Sequence, residues 1–560
     1  MRTGHEKYIP FQPILKPDRR WPSLRLSRAP LWCSVDLRDG NQALINPMNL
    51  REKLAYFHML CNIGIKEIEV GFPSASETEY EILRTLIDGG HIPDDVTIQV
   101  LVQAREHLIR KTFEAIDGAK NVILHFYNST SAMQRKVVFE TDMAGVVDIA
   151  VTGAKLIKQL GDAFSARTGA NLRYEYSPES FMGTEPDNAI WVCRRVMEEL
   201  GASETNKIIL NLPSTVENCL PNQFADLIEY FCDNLPNRQH AVISLHPHND
   251  RGTATATAEL GLLAGAERLE GTLFGNGERT GNCDIVTVAL NLFTQAIDPQ
   301  LDLSDINGIR ALYEQVTKMQ VHERHPYAGD LVFTAFSGSH QDAINKGSAY
   351  MAHHGGDFWE NPYLPLDPAD VGRQYEPIVR INSQSGKGGA AFVMEQSFGY
   401  HLPKAMHPSF GAAVKKYCDA VGREISPDEV LRIFTNEYVD FVGKYRLLSY
   451  RLTEIEDTNE ANFVRFEGKI EVDGGTCEIS GEGNGPINAA CNALNQLGLE
   501  RYRFVAYTEH AVGEGANAMG VAYIQIESPA GKTLFGVGVS PNINTAAIRG
   551  VICAVNRDLQ

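Results

Sequence analysis

Eight short apolar runs of β type recur between Leu31 and Gly275, roughly one every 25–35 residues. They occupy residues 31–37, 65–73, 97–102, 121–127, 172–180, 207–215, 241–248 and 268–275, and each gap holds a helix-like stretch. Eight alternating β and α units point to an α/β chain built on a (β/α)8 barrel. In that fold, chemistry sits at the C-terminal ends of the strands. Here those ends carry Arg38-Asp39, Glu69, His125, Glu179, Thr215, His246-x-His248 and Asn276. Acids, histidines and amides concentrated at that edge indicate an enzyme.

A chain of 560 residues leaves room for about two further domains beyond a barrel of about 250. The formal net charge of −19 argues against nucleic-acid and anionic-membrane partners, which need a basic face. An anionic substrate needs only a local cluster of donors. The ten cysteines form no Cys-x-x-Cys pair, as expected for reduced thiols. No stretch of 18 apolar residues is present, and the Pro-rich first 24 residues lack an apolar signal core, so the expected location is cytoplasmic.

The expected domains are an extended arm at 1–30, the barrel at 31–305, linker subdomains at 306–440 and a separate C-terminal domain at 441–560. Within the linker, residues 309–319, 390–398, 408–421 and 426–438 have helical patterns. Residues 321–389, rich in His, Gly and Pro, suggest a long functional or interfacial loop region. From about Tyr445 the pattern changes to hairpins and helices, and it is duplicated. Gly481 and Gly536 are 55 residues apart, as are Pro486 and Pro541. Two ββα copies are expected, serving ligand binding or dimerisation.

His246-Pro247-His248 is the sharpest chemical signal. Residues i and i+2 of a strand face one side, presenting two imidazoles to a first-row divalent metal. Asp39 is the best third ligand, its structural alternative being a turn at Asp39-Gly40-Asn41. Asp250 is a candidate to orient a histidine from behind. Arg38 offers planar donors to an oxyanion, or else pairs with Asp36 or Asp39. Glu175, Ser177 and Glu179 share one strand face, with Glu175 better suited to a basic partner inside the barrel. Residues 125–131 (HFYNSTS) suit a carboxylate or phosphate, or a capped helix start. Residues 275–282 (GNGERTGN) are a weak phosphate-loop pattern. His340, in SGSHQD, resembles a general base only weakly by itself.

Together these stretches resemble the α-isopropylmalate synthases of the long bacterial and fungal type. The resemblance runs from the arm to Arg557. It is carried by 36–42 (DLRDGNQ), 68–79 (IEVGFPSASETE), 125–131, 176–185 (YSPESFMGTE), 211–217 (NLPSTVE), 246–250 (HPHND), 275–282, 336–343 (FSGSHQDA) and 382–389 (NSQSGKGG). The His-x-His and Arg-Asp-Gly motifs alone mark only the wider Claisen-condensing and pyruvate-lyase superfamily. The resemblance implies an acyltransferase that joins acetyl-CoA to 2-oxoisovalerate, giving 2-isopropylmalate and CoA, under feedback by leucine. It implies a divalent metal on Asp39, His246 and His248 with Asn282 close by: Mg²⁺ or Mn²⁺, with Zn²⁺ acceptable and K⁺ a candidate activator. It implies Arg38, Glu179 and His340 as catalytic groups, with His125, Ser177 and Thr215 lining the substrate pocket. It further implies a homodimer in which His340 reaches a neighbouring subunit, helped by Tyr363 or Tyr375. Leucine would meet Gly481, Gly483, Asn484, Gly536 and Gly538. Ser540-Pro541 stands where an acid is expected, which implies weaker or altered feedback; Met182 also replaces an expected polar residue. The alternatives are a homocitrate or citramalate synthase, a lyase of the superfamily, and a non-catalytic amino-acid sensor.

Overall fold

The computed structural model describes residues 4–335, 337–355, 357–375, 387–421, 425–441, 443–455, 463–513, 515 and 518–559. Phe336 and residues 382–386 of two motifs above lie outside the described residues. The chain divides into two compact units, Met1–Phe333 with Pro365–Gln374, and Thr334–Leu364 with Tyr375–Gln560.

In the first unit, β1 (Leu31–Ser34), β2 (Glu67–Gly71), β3 (Thr97–Gln103), β4 (Asn121–Ser129), β5 (Asn171–Glu179), β6 (Ile208–Ser214), β7 (Ala241–Pro247) and β8 (Arg268–Gly271) close into a parallel barrel. Closure is made by β1, which pairs with both β2 and β8. Covered on both faces, such strands carry continuous apolar runs; Val122, Ile123 and Leu124 of β4 are fully buried. Capping side chains start the surrounding helices: Asn49 and Glu52 form a capping box on Leu50–Asn62, and Asp142 caps Met143–Thr168.

β1 and β8 are shorter than the apolar runs suggested. After β1 the chain enters a π-helical turn, Asp36–Gly40, and after β8 a 3₁₀ turn, Leu273–Gly275. Asp36 joins the two turns. Its carboxylate accepts from Ser34 Oγ at 2.8 Å, Tyr56 OH at 2.9 Å and the Leu273 backbone N–H at 3.1 Å. Arg38 and Asp39 are therefore on a hydrogen-bonded turn above β1, not on the strand itself.

The N-terminal arm is anchored on helix Pro221–Asn234. Lys16 Nζ reaches Asp233 at 2.8 Å, while Arg19 Nε and Trp21 Nε1 reach Asp226 at 2.6 and 2.9 Å.

The second unit contains helices Gly338–His354, Lys387–Phe398, His407–Val421 and Pro427–Tyr438. The first is a correction, since residues 321–389 looked loop-rich. Ala, Lys and Met are good helix formers, and one glycine at 347 does not outweigh them. Beyond them lie two three-stranded sheets. One is β9 (Tyr445–Ile455), β10 (Phe463–Val472) and β11 (Gly475–Gly483), followed by helix Pro486–Leu494. The other is β12 (Arg503–Val512), β13 (Met519–Glu527) and β14 (Thr533–Ser540), followed by helix Ile543–Asp558. Each copy is thus βββα; the leading strand of each lacked a clean alternation and escaped the ββα expectation. β13 is committed on both faces. Val521 and Tyr523 pack with Val393, Phe410 and Phe434, while Ile524 and Ile526 pack with Ile548 and Val551. Among the described residues no helix is long and apolar enough to cross a membrane.

Gly481, Gly483, Gly536 and Gly538 lie in β11 and β14, not in loops, where the following helix presses onto the strand. A β-carbon at Gly538 would lie 1.9 Å from Ala546 O, a backbone atom, whereas one at Gly485 meets nothing within 4 Å. Gly538→Ala should cost β14 and helix Ile543–Asp558 about 2 kcal/mol, a roughly thirtyfold loss of protection in hydrogen–deuterium exchange. Gly485→Ala should change protection far less.

Candidate active site

The loops above the strands surround a cavity of about 370 Å³ lined by Arg38, Asp39, His125, Ser177, Glu179, Thr215, His246 and His248, among others. Three of these converge as potential metal ligands. Asp39 Oδ2 lies 3.3 Å from His246 Nε2 and 3.8 Å from His248 Nε2. Alternation on β7 places the two imidazoles side by side, with ring centroids 5.2 Å apart. Asn282 is the antiparallel bridge partner of His248. Gly281 makes that return of the chain feasible, with φ +104° and a β-carbon position only 1.9 Å from Gly275 O. Among the described residues, Asp39 Oδ2 and Asn282 Oδ1 are buried without a hydrogen-bond partner. A carboxylate and an amide oxygen left open beside two imidazoles are what a divalent cation would satisfy. The residues therefore fit a metal.

Burial disfavours charge on His246, but Asp39 and Glu270 outweigh it and raise its pKa to about 9. Burial and the neighbouring His246 lower His248 to about 4. Asp39 stays ionised: burial opposes this, but Arg38 and the two histidines hold its pKa far below the carboxylate range.

Arg38 is pinned from both sides, with Nη1 to Asp39 Oδ1 at 2.6 Å and Nε to Glu69 Oε2 at 2.7 Å. The pairing with Asp39, one of the structural alternatives above, is real. The bonds to Asp39 and Glu69 together use only Nη1 and Nε, so the guanidinium keeps donors for an oxyanion. Glu69 Oε1 also holds His125 Nδ1 at 2.9 Å, and His125 Nε2 meets Ser177 Oγ at 2.7 Å. Glu179 accepts from Ser129 Oγ, and Thr215 Oγ1 accepts from the Ser180 backbone N–H at 2.9 Å. Ser131 acts as a helix cap, accepting from Gln134 N at 3.3 Å. Glu175 lies 3.3 Å from Arg268, the interior basic partner it was expected to find. Burial raises its pKa well above the carboxylate range.

One expectation fails. Asp250 orients no histidine: its carboxylate pairs with Arg279 Nε at 2.6 Å and accepts from the Glu217 backbone N–H at 2.9 Å. The carboxylate behind His246 is instead Glu270, at 2.6 Å from Nδ1. Glu270, Gln99, Asn211 and Arg268 all belong here and were missed. The signal available was alternation on β8, where Arg268 and Glu270 share one face of a strand expected to be apolar.

His340 is in the second unit, exposed in the first turn of helix Gly338–His354. Its ring stacks on Tyr363 with centroids 4.0 Å apart. Tyr363 is 62% exposed and holds φ +63°, an uncommon conformation for a non-glycine residue. Asp342, two residues on, pairs with Lys346 at 2.5 Å. Asn484 follows β11, with its backbone N–H 3.4 Å from Asn488 Oδ1. Ser540 is buried at the end of β14 and accepts from Asn542 N at 3.2 Å.

A barrel with this cluster is of the HMGL-like class, whose family model matches residues 29–312. Residues 330–395 match the model described as "Alpha-isopropylmalate synthase, post-catalytic domain-like", and residues 424–559 match the "LeuA allosteric (dimerisation) domain". The 2-isopropylmalate synthase of Clostridium acetobutylicum is 53% identical over 554 residues, covering 99% of both chains. That of Acetoanaerobium sticklandii is 49% identical, covering 99% of this chain and 97% of its own. That of Rhizobium meliloti is 49% identical, covering 99% and 98%. Among solved structures, a hydroxymethylglutaryl-CoA lyase from Pseudomonas aeruginosa is similar over 54% of this chain and 97% of its own, at 18% identity and TM-score 0.43. The chain belongs to the 2-isopropylmalate synthase family.

Removing one imidazole from the cluster should show directly in metal affinity. His248→Ala should weaken Mn²⁺ binding by more than the roughly 10–100-fold typical of losing an outer partner. Electron paramagnetic resonance of free Mn²⁺ measures it; unchanged affinity would remove His248 from the ligand set.

Proposed function

We propose that this chain condenses acetyl-CoA with 2-oxoisovalerate to give 2-isopropylmalate and CoA, as a step of leucine biosynthesis inhibited by leucine. The observation that carries this reading is the unsatisfied Asp39–His246–His248 cluster with Arg38 beside it, in a chain matched over nearly its whole length by 2-isopropylmalate synthases. Asp39, His246 and His248 would hold the cation, with Asn282 beside it. Bound there, a divalent ion (Mg²⁺ or Mn²⁺, with Zn²⁺ acceptable to the donor set) supplies Lewis acidity toward the keto acid's oxygens.

The chain's own groups divide the remaining work. Arg38 donates to the oxygen that gains negative charge as the ketone is attacked. His125, Ser177, Glu179 and Thr215, on or just after the neighbouring strands β4, β5 and β6, would line the pocket against the keto acid. The acetyl methyl must lose a proton, and the resulting enolate carbon then bonds to the ketone carbon. Water next cleaves the thioester, placing hydroxyl on the acyl carbon and releasing CoA as a thiol. We assign the base to His340, supplied by a neighbouring subunit of a homodimer. Between the two tyrosine candidates, the stacking on His340 and the positive φ favour Tyr363 over Tyr375. We assign leucine to the duplicated segment through Gly481, Gly483, Asn484, Gly536 and Gly538. Ser540 in place of an acid leaves one fewer negative charge for a ligand amine, so inhibition should be weak.

Thiol release from acetyl-CoA with Mg²⁺ should be fast with 2-oxoisovalerate, slow with pyruvate and 2-oxoglutarate, and reduced by leucine. Preference for another keto acid would keep the chemistry and change the substrate, whereas no thiol release with any would overturn the reading. Arg38→Lys should lower kcat by about 10²–10³, the usual cost of an oxyanion donor. Tyr363→Phe should lower kcat with little change in KM, and Tyr375→Phe should not; the reverse result would exchange their roles.

A further inference from the structure

We propose that Glu270, anchored by Arg268, is the positioning residue that holds the His246 ring with Nε2 aimed at Asp39 and the cation site. This rests on reading Asp39, His246 and His248 as metal ligands.

Both Glu270 oxygens are engaged. Oε2 accepts from His246 Nδ1 at 2.6 Å and Asn211 Nδ2 at 3.0 Å. Oε1 accepts from Arg268 Nη1 and Gln99 Nε2, each at 2.9 Å. Four bonds use the carboxylate's full accepting capacity, so the group has one orientation. With Nδ1 donating to that carboxylate, Nε2 is the nitrogen turned toward Asp39 and left to bind the cation, and the hydrogen bond raises the basicity of the ring. Arg268 fixes Glu270 in turn. It has no exposed surface and reaches Glu67 Oε2 through Nε at 2.6 Å, Ser244 Oγ through Nη1 at 2.8 Å and Gln99 Oε1 through Nη2 at 2.7 Å. Three directions of restraint suit a planar guanidinium; an ammonium could not satisfy them together. His248 is held differently: among the described residues its buried Nδ1 has no partner. The two imidazoles are therefore unequal. His246 is pre-set by the barrel interior, and His248 settles when the cation arrives.

The test is Mn²⁺ affinity of the full-length protein, read as free Mn²⁺ by electron paramagnetic resonance below the melting temperature of every variant. Glu270→Gln should weaken Mn²⁺ binding about 10–100-fold, with kcat recovering as Mn²⁺ is raised to saturation. Arg268→Lys should move affinity in the same direction by a smaller factor. Unchanged Mn²⁺ affinity in Glu270→Gln, with only a lower melting temperature, would make Glu270 structural and overturn the proposal. If Glu270→Gln does not fold, Glu270→Asp carries the test: the charge remains but sits one methylene further from Nδ1, so the same weakening is expected, and unchanged affinity overturns the idea. Wild-type affinity in His248→Ala would instead overturn the ligand assignment on which the proposal stands.

Discussion

The mouth of the barrel depends on a closed circuit of side-chain contacts. From Glu270 it passes to His246, Asp39, Arg38, Glu69, His125, Ser177 and Asn211, and returns to Glu270. Gln99 crosses the interior to touch Glu69, His125 and Glu270. Most links involve a charged group, and a buried hydrogen bond of that kind contributes about 1.5–3 kcal/mol. The greater effect is on uniqueness, since removing one member leaves two buried neighbours unsatisfied. Charge is balanced around the same circuit. Asp39, Glu67, Glu69 and Glu270 face the guanidiniums of Arg38, Arg173 and Arg268 and the protonated imidazole of His246, so four negative groups meet four positive ones. A divalent cation makes that balance positive, the sign that a carboxylate-bearing keto acid requires.

What the sequence disclosed follows from two periodicities. Alternating β and α segments give the barrel, and the barrel marks the strand ends where Asp39, His125, Ser177, Glu179 and the His-x-His pair stand. What it concealed is the barrel's polar interior. Arg268 and Glu270 share one face of the tetrapeptide Arg268–Gly271, but alternation alone does not distinguish two such charges from a solvated strand edge. Only closure, which aligns β8 with β1 and β7, shows that their partners are Glu67, Gln99, Ser244 and His246. Asp250 fails in the opposite sense: adjacent in sequence to the histidine pair, it is drawn away by Arg279 and Glu217. Helix Gly338–His354 was hidden because its His, Gly and Ser residues read as loop.

The duplicated segment makes a related point about glycine. Gly481 and Gly536 looked like parts of ligand loops, yet each lies where a helix rests on a strand backbone, with a β-carbon site 2.4 and 2.3 Å from the backbone N of Ala493 and Ala554. A missing side chain explains both close packing and backbone exposure to a small ligand, so sequence alone could not separate the two. The structure establishes the packing. It also shows β13 shared between helix Ile543–Asp558 on one face and the linker helices on the other. A shift of that helix would therefore load a strand with no free face to absorb it.

The circuit at the barrel mouth draws its members from the turn after β1 and from β2, β4, β5, β6, β7 and β8. No short fragment of the chain contains it, and its cation ligands span from Asp39 to His248. While the seam between β1 and β8 is open, Asp39 cannot be beside the two histidines. Cation affinity is then a late acquisition on the way to the native state, tracking completion of the barrel and not its nucleation. A chain whose strands have formed but whose circle is unfinished would resemble the native protein in secondary structure while remaining blind to the ion.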